Sequence, residues 1–205
     1  MSLVSFVSIV SGNSDTTDTS DTNDTFLQMS DSEQERLNNW LRDEDEKQFK
    51  DSLVQGSRLL TQGKPDEALP LLERAHKLKP KDVDAALNLG GAYIMAGRHK
   101  LAVPVLEKAV EATPTNAQLW INLGAAYLGN PITATDERQQ RALDAFNKAL
   151  ELNPLARSVA YNIGLIHRDR NEVDKAIAMF RRAVLADPND RDAKRLLERL
   201  EQSGS

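Results

Sequence analysis

The stretch VDAALNLGGAYIMAGRHKLAVPVLEKAVEATPTN, residues 83–116, decides the fold, because the chain repeats it. Within it stand Leu89-Gly90, Tyr93, Gly97, Ala102, Leu106, Ala109 and Pro114. Leu123-Gly124, Tyr127, Ala142, Phe146, Ala149 and Pro154 follow in the same order. Four ladders fix the register. Glycines fall at Gly56, Gly90, Gly124 and Gly164, spaced 34, 34 and 40 residues apart. Alanines fall at Ala68, Ala102, Ala142 and Ala176, and again seven residues on at Ala75, Ala109, Ala149 and Ala183. Prolines close each unit at Pro80, Pro114, Pro154 and Pro188, spaced 34, 40 and 34. Self-similarity at such a period marks a stacked helical solenoid.

Each ladder has a physical cause. A small residue where two helices cross lets their backbones approach closely. Glycine inside a helix costs about 1 kcal/mol against alanine, so packing must offset that penalty four times over. Large partners fill the gaps: Leu89, Leu123, Ile163, Tyr93, Tyr127, Trp120, Phe146 and Phe180. Proline cannot continue a helix and pushes the preceding residue out of the helical region. Gly63 and Gly97 sit where a first helix ends and a left-handed residue is wanted.

These residues resemble the tetratricopeptide repeat family, whose pattern is W-x2-L-G-x2-Y, then A-x3-F, then P. Trp120-Ile121-Asn122-Leu123-Gly124-Ala125-Ala126-Tyr127 matches the first part without a gap, and Ala142 to Phe146 matches the second. The resemblance spans 49–190. It implies an all-α fold, a right-handed superhelical solenoid of four helix–turn–helix units at 49–82, 83–116, 117–156 and 157–190. Paired helices are expected at 49–62 and 66–79, 83–96 and 100–112, 117–129 and 136–152, 157–170 and 174–186. Two departures are visible. Ser52 and Gln55 replace large apolar residues in the first unit, and His167 replaces tyrosine in the fourth. The third unit carries six extra residues between Gly129 and Gln140, in the turn between its helices.

Outside the repeats the character changes. Residues 1–30 read as an acidic, low-complexity arm, and 11–25 hold no apolar residue to bury. The apolar run Met1–Val10 has no basic residue before it, unlike a secretory leader. Residues 31–48 read as an N-terminal helix over about 32–43, with capping boxes at Ser30/Glu33 and Ser32/Glu35 and an apolar face of Leu37, Trp40 and Leu41. It is expected to cap the first unit; the alternative is a tethered segment that enters the groove. Residues 191–205 read as a C-terminal capping helix and tail, with Ala193, Leu196, Leu197 and Leu200 on one face. Residues 1–48 carry a charge of −8, against a whole-chain net of −5, so the rest is slightly basic.

Composition narrows the function. Cysteine is absent, which excludes disulfides and thiolate metal sites and suits a cytoplasmic setting. No apolar run approaches the ~20 residues of a membrane span. His76, His99 and His167 share no repeat position and show no metal-ligand spacing. Neither a phosphate loop nor a nucleophile elbow occurs. The expectation is therefore no enzyme, no cofactor and no metal. Arg181, Arg182, Arg191, Lys194, Arg195 and Arg199 are basic, but Asp187, Asp190, Asp192, Glu198 and Glu201 interrupt them, so nucleic acid is not the expected partner.

Protein binding is the reading that remains, by a chain expected to be a monomeric adaptor or scaffold. In arrays resembling this one, first helices line a concave groove. The sixth position of each unit faces it: Val54, then Asn88, Asn122 and Asn162. An amide offers a donor and an acceptor, so a row of them suits the backbone of a partner's peptide segment. Leu87, Ile121 and Tyr161, with Gly91, Ala125 and Leu165 one turn on, would form the trough between. The resemblance also implies a test for one ligand. Chaperone-binding members grip a carboxylate tail with a Lys and Asn pair on the first unit, which here becomes Leu53 and Ser57, an Asn on the second, and two cations on the third, which here become Gln118 and Asn122. Only Asn88 survives of that clamp, so such a tail is not expected. A structural subunit that packs through the solenoid, with no exchangeable ligand, is the alternative.

Overall fold

The computed structural model describes residues 30–203, and the arm expected at 1–30 lies, but for Ser30, outside them. Among the described residues the chain is all helical. The elements are α1 (Asp31–Thr61), α2 (Pro65–Leu78), α3 (Val83–Met95), α4 (His99–Ala112) and α5 (Ala117–Leu128). A short 3-10 turn at Pro131–Thr133 leads to α6 (Asp136–Leu152), α7 (Arg157–Asp169), α8 (Val173–Ala186) and α9 (Arg191–Ser203). The described chain divides into two compact parts, before and after the Lys50–Asp51 bond, each taken by itself.

One expectation about the helices is corrected. The acidic run Asp43–Glu46 does not end a helix; α1 is continuous for 31 residues. Neither glycine nor proline stands between Asp31 and Gln55, and the acids are supported at helical spacing. Gln48 donates to Glu44 at 3.2 Å, and Lys50 pairs with Glu46 at 3.3 Å. The start was legible: Ser30 N–H and Oγ both donate to Glu33 Oε2, at 3.0 and 2.7 Å. In the first part Leu37 is buried, Leu41 half-buried and Trp40 exposed.

In the second part, helices pack in chain order. Within repeats α3 lies on α4, α5 on α6 and α7 on α8. Between repeats α2 lies on α3, α4 on α5 and α6 on α7, while α3 also touches α5. The glycine ladder is the hinge of this packing. A Cβ added at Gly56 would stand 2.6 Å from Leu72, one at Gly90 2.6 Å from Leu106, and one at Gly124 2.6 Å from Phe146. At Gly164 it would stand 2.8 Å from Phe180. Each first helix therefore receives one large side chain of its second helix in a glycine notch. The inserted residues Leu72, Leu106, Phe146 and Phe180 are wholly buried, as are Ala68, Ala102, Ala142 and Ala176.

Apolar burial runs on from repeat to repeat. One cluster joins Leu72, Leu89, Leu106, Leu119 and Leu123, and the next joins Leu128, Phe146, Val159, Ile163 and Ile166. The first repeat is the thin one: Ser52 is buried as a polar residue, and Gln55 is exposed where Leu89, Leu123 and Ile163 are buried. Helix α9 packs on α8, burying Ala193 with Ala160 and Ala183.

Polar ties repeat as well. The Tyr93 hydroxyl donates to Glu73 at 2.8 Å, and one period on Tyr127 donates to Glu107 at 2.6 Å. Both phenols are neutral at ordinary pH, since burial and then the adjacent carboxylate push Tyr93 up to about 12 and Tyr127 in the same direction. At the last junction both partners change together: His167 takes the tyrosine's place and Asn147 the glutamate's. His167 pairs with Glu172 of its own repeat instead, at 2.7 Å. There Arg170 ties the repeats, its guanidinium donating to Gln139 Oε1 at 2.8 Å, Gln140 Oε1 at 3.2 Å and the Asp136 carbonyl at 2.9 Å.

The turns inside repeats share one closure. Gly63 and Gly97 have φ of +71°, and Asn171 takes the same left-handed role at +59°. The next residue in each case donates five back: Lys64 to Leu59, Arg98 to Tyr93, Glu172 to His167. The third repeat departs, because its insertion follows Gly129. Arg138 covers that end instead, its Nε donating to the Tyr127 carbonyl at 3.1 Å while its guanidinium lies against Gly129. Two prolines, Pro70 and Pro104, sit inside α2 and α4. Both are exposed, so the carbonyl each leaves without a helical partner faces water.

Candidate functional site

The first helices carry the residues expected to meet a partner. Asn88 lies in α3, Asn122 in α5 and Asn162 in α7, all half-buried. Two of the amides are already engaged across repeats. Asn88 Oδ1 accepts from the Ser57 hydroxyl at 2.9 Å, and its Nδ2 donates to the Asp84 carbonyl at 2.8 Å. Asn122 Nδ2 donates to the Leu87 carbonyl at 3.5 Å, and its Oδ1 accepts from Gln118 at 3.1 Å. The row thus links successive first helices side to side. An amide has two donor hydrogens and two acceptor lone pairs, so each of these two retains one of each beyond those bonds.

Leu87, Ile121 and Tyr161 are half-buried, as are Ala125 and Leu165. Leu87 packs on the first apolar cluster, and Ile121 and Ala125 pack on the second. Tyr161 meets Phe180 edge-on, with ring centroids 5.8 Å apart, and packs against the α9 cluster. Gly91 is unlike its neighbour Gly90: the nearest atom to an added Cβ is Asn122 Nδ2, at 4.0 Å. Open space stands over the row there. Val54, the first repeat's counterpart of the asparagines, is 67% exposed.

The basic C-terminal residues are largely spoken for. Arg181 pairs with Glu201 at 2.7 Å and Arg195 with Asp192 at 2.8 Å, while Arg182 donates to the Pro154 carbonyl at 3.1 Å. Among the described residues no group of three or more histidine or acidic side chains is arranged to hold a metal, and no helix is long and apolar enough to cross a membrane. Sequence reading missed the Tyr–Glu ties, although Glu73 and Glu107 recur at the repeat period. It also missed Asn171 and the capping role of Arg138.

With this geometry in view, the likenesses to known proteins carry weight. Residues 59–120 and 137–200 each match a family model described as tetratricopeptide repeat. The chain belongs to the tetratricopeptide repeat family. Among solved structures it is similar to TTC0263, a thermophilic TPR protein of Thermus thermophilus, at 26% identity over 77% of this chain and 83% of that one, with a TM-score of 0.64. It is similar to MamA MSR-1 at 31% identity over 67% of this chain and 75% of that one, with a TM-score of 0.56. MamA from Desulfovibrio magneticus RS-1 shares the fold at 22% identity, over 77% of this chain and 85% of that one, with a TM-score of 0.64. A search of curated proteins found no match. The family's fold serves protein–protein interaction in general.

Proposed function

We propose that the chain is an adaptor that binds a peptide segment of a partner protein along its first helices. The observation that carries this is the row Asn88, Asn122 and Asn162, three amides at one repeat position. Asparagine is a middling helix former, so local structure does not ask for it three times. The bonds that Asn88 and Asn122 already make hold their amides in fixed orientations. That is pre-organisation, which lowers the entropy cost of pairing with a peptide backbone. Half-buried Leu87, Ile121 and Tyr161 supply apolar surface for the peptide's side chains.

Site-directed photocrosslinking tests the face. A photoreactive residue at Gly91 or Ala125 is expected to capture partner protein, and one at Lys77 or Glu111 on second helices is not. Equal capture from both sets would contradict the reading.

One observation favours a second reading, a structural brace. Leu155 and Leu185 are 67% and 77% exposed on parts of the chain other than the first helices. A stoichiometric assembly that survives loss of the asparagine row but not Leu185→Glu would support the brace.

A further inference from the structure

The insertion in the third repeat builds a second feature that the first-helix row does not use. Between the α3–α4 turn and the loop after α5 lies a pocket of about 290 Å³, and Arg98, His99, Lys100, Asn130, Thr133 and Arg138 line it. None of its lining residues is acidic. We propose that this pocket binds a compact oxyanion, a phosphate group either free or carried on a partner's side chain.

Five features converge on that chemistry. Arg138 is held before any ligand arrives: its Nε is fixed on the Tyr127 carbonyl at 3.1 Å, and Gly129 leaves room for the guanidinium. Its remaining N–H groups are free to point elsewhere, since a guanidinium carries five donors. Arg98 is likewise anchored through one Nη to Asp66 at 2.9 Å. Lys100 adds a third cation, and it is exposed.

His99 contributes a donor for a subtler reason. Its Nδ1 is buried with no hydrogen-bond partner. A buried N–H without an acceptor is rarer than an acceptor left short, so the proton belongs on Nε2. Cδ2, the ring carbon bonded to Nε2, lies 3.5 Å from where a Gly129 Cβ would stand, at the residue before the insertion.

The backbone adds to this. Helix α4 begins at His99 with no side-chain cap and no acid in its first turn. The other second helices neutralise that end with Asp66 and Glu67, Asp136 and Glu137, or Asp174. In α4 the positive end of the helix dipole is left for an external anion. A carboxylate would use two acceptor oxygens. Donors from three elements around one void suit the three terminal oxygens of a phosphate better.

The test is a titration of the full chain, followed by amide chemical shifts, with inorganic phosphate and separately with an N-acetyl phosphoserine amide. The expected result is saturable shifts at Gly97–Leu101, Asn130 and Thr133. Lys100→Gln should weaken binding by about tenfold, the loss of one charge-assisted hydrogen bond. Arg138→Lys, which keeps the charge but not the fixed plane, should also weaken it, and Lys77→Gln on α2 should not. Equal affinity for the two probes identifies a free-anion site; tighter phosphoserine binding identifies a modified side chain of a partner. Shifts that rise linearly without saturation, or an affinity unchanged by Lys100→Gln, would overturn the proposal.

Discussion

Gly90 and Gly91 are adjacent glycines in one helix, yet substitution at each should act in opposite directions. Alanine gains about 1 kcal/mol of helix propensity at either position. At Gly90 the new methyl would stand 2.6 Å from buried Leu106, and overpacking costs about 1–3 kcal/mol. At Gly91 no atom lies nearer than 4.0 Å, so Gly91→Ala should raise the melting temperature while Gly90→Ala lowers it. Thermal unfolding of the two variants decides the matter. A second residue-scale expectation concerns alkali. The folded-state pKa of Tyr93 is raised to about 12 from 10, so the unfolded chain loses its phenol protons first as pH rises. The stability that burial of the neutral phenol and then its tie to Glu73 supply is fully present below pH 10 and is lost between there and about 12. Tyr93→Phe should flatten that stretch of a stability–pH curve, and an unchanged slope would remove the raised Tyr93 pKa from the account.

At the scale of elements, the turns show what sequence reading reaches. The ladders of glycine, alanine and proline gave helix pairs whose ends agree with the structure to within a residue or so, except that the start expected at 49 falls inside the continuous α1; notch packing and proline stops are local and repeat. Asn171 escaped notice, since glycine was the expected left-handed residue and asparagine tolerates that region only by its short polar side chain. Asn171→Ala should cost about 1–2 kcal/mol, and Asn171→Gly should be neutral or stabilising; chemical denaturation of both measures it. The break expected near Asp43 failed for a different reason. The acidic run after the helix expected at about 32–43 has pairs at helical spacing, Glu44–Gln48 and Glu46–Lys50, and these hold the helix through. Arg138 was beyond sequence reading altogether, because its capping of α5 depends on how the insertion folds back.

For the molecule as a whole, the row of asparagines was legible as a row, but its bonding was not. The repeat position of Asn88, Asn122 and Asn162 follows from the register alone. That Asn88 also takes a hydrogen bond from Ser57 of the preceding repeat required neighbouring first helices to be seen side by side. Asn88 and Asn122 therefore brace one first helix against the next, and in the proposed function their remaining donors and acceptors serve a partner. Replacing them with alanine removes both while improving helix propensity, so the folded state should lose little. The central claim is that this row is the binding face. The measurement that tests it most directly takes peptides selected by the unaltered chain from a displayed random library. Their affinity is then compared for that chain and for a variant carrying Asn88→Ala, Asn122→Ala and Asn162→Ala. A loss of at least about tenfold, in a variant that still unfolds cooperatively, is the predicted result. Full affinity in the folded variant would contradict it.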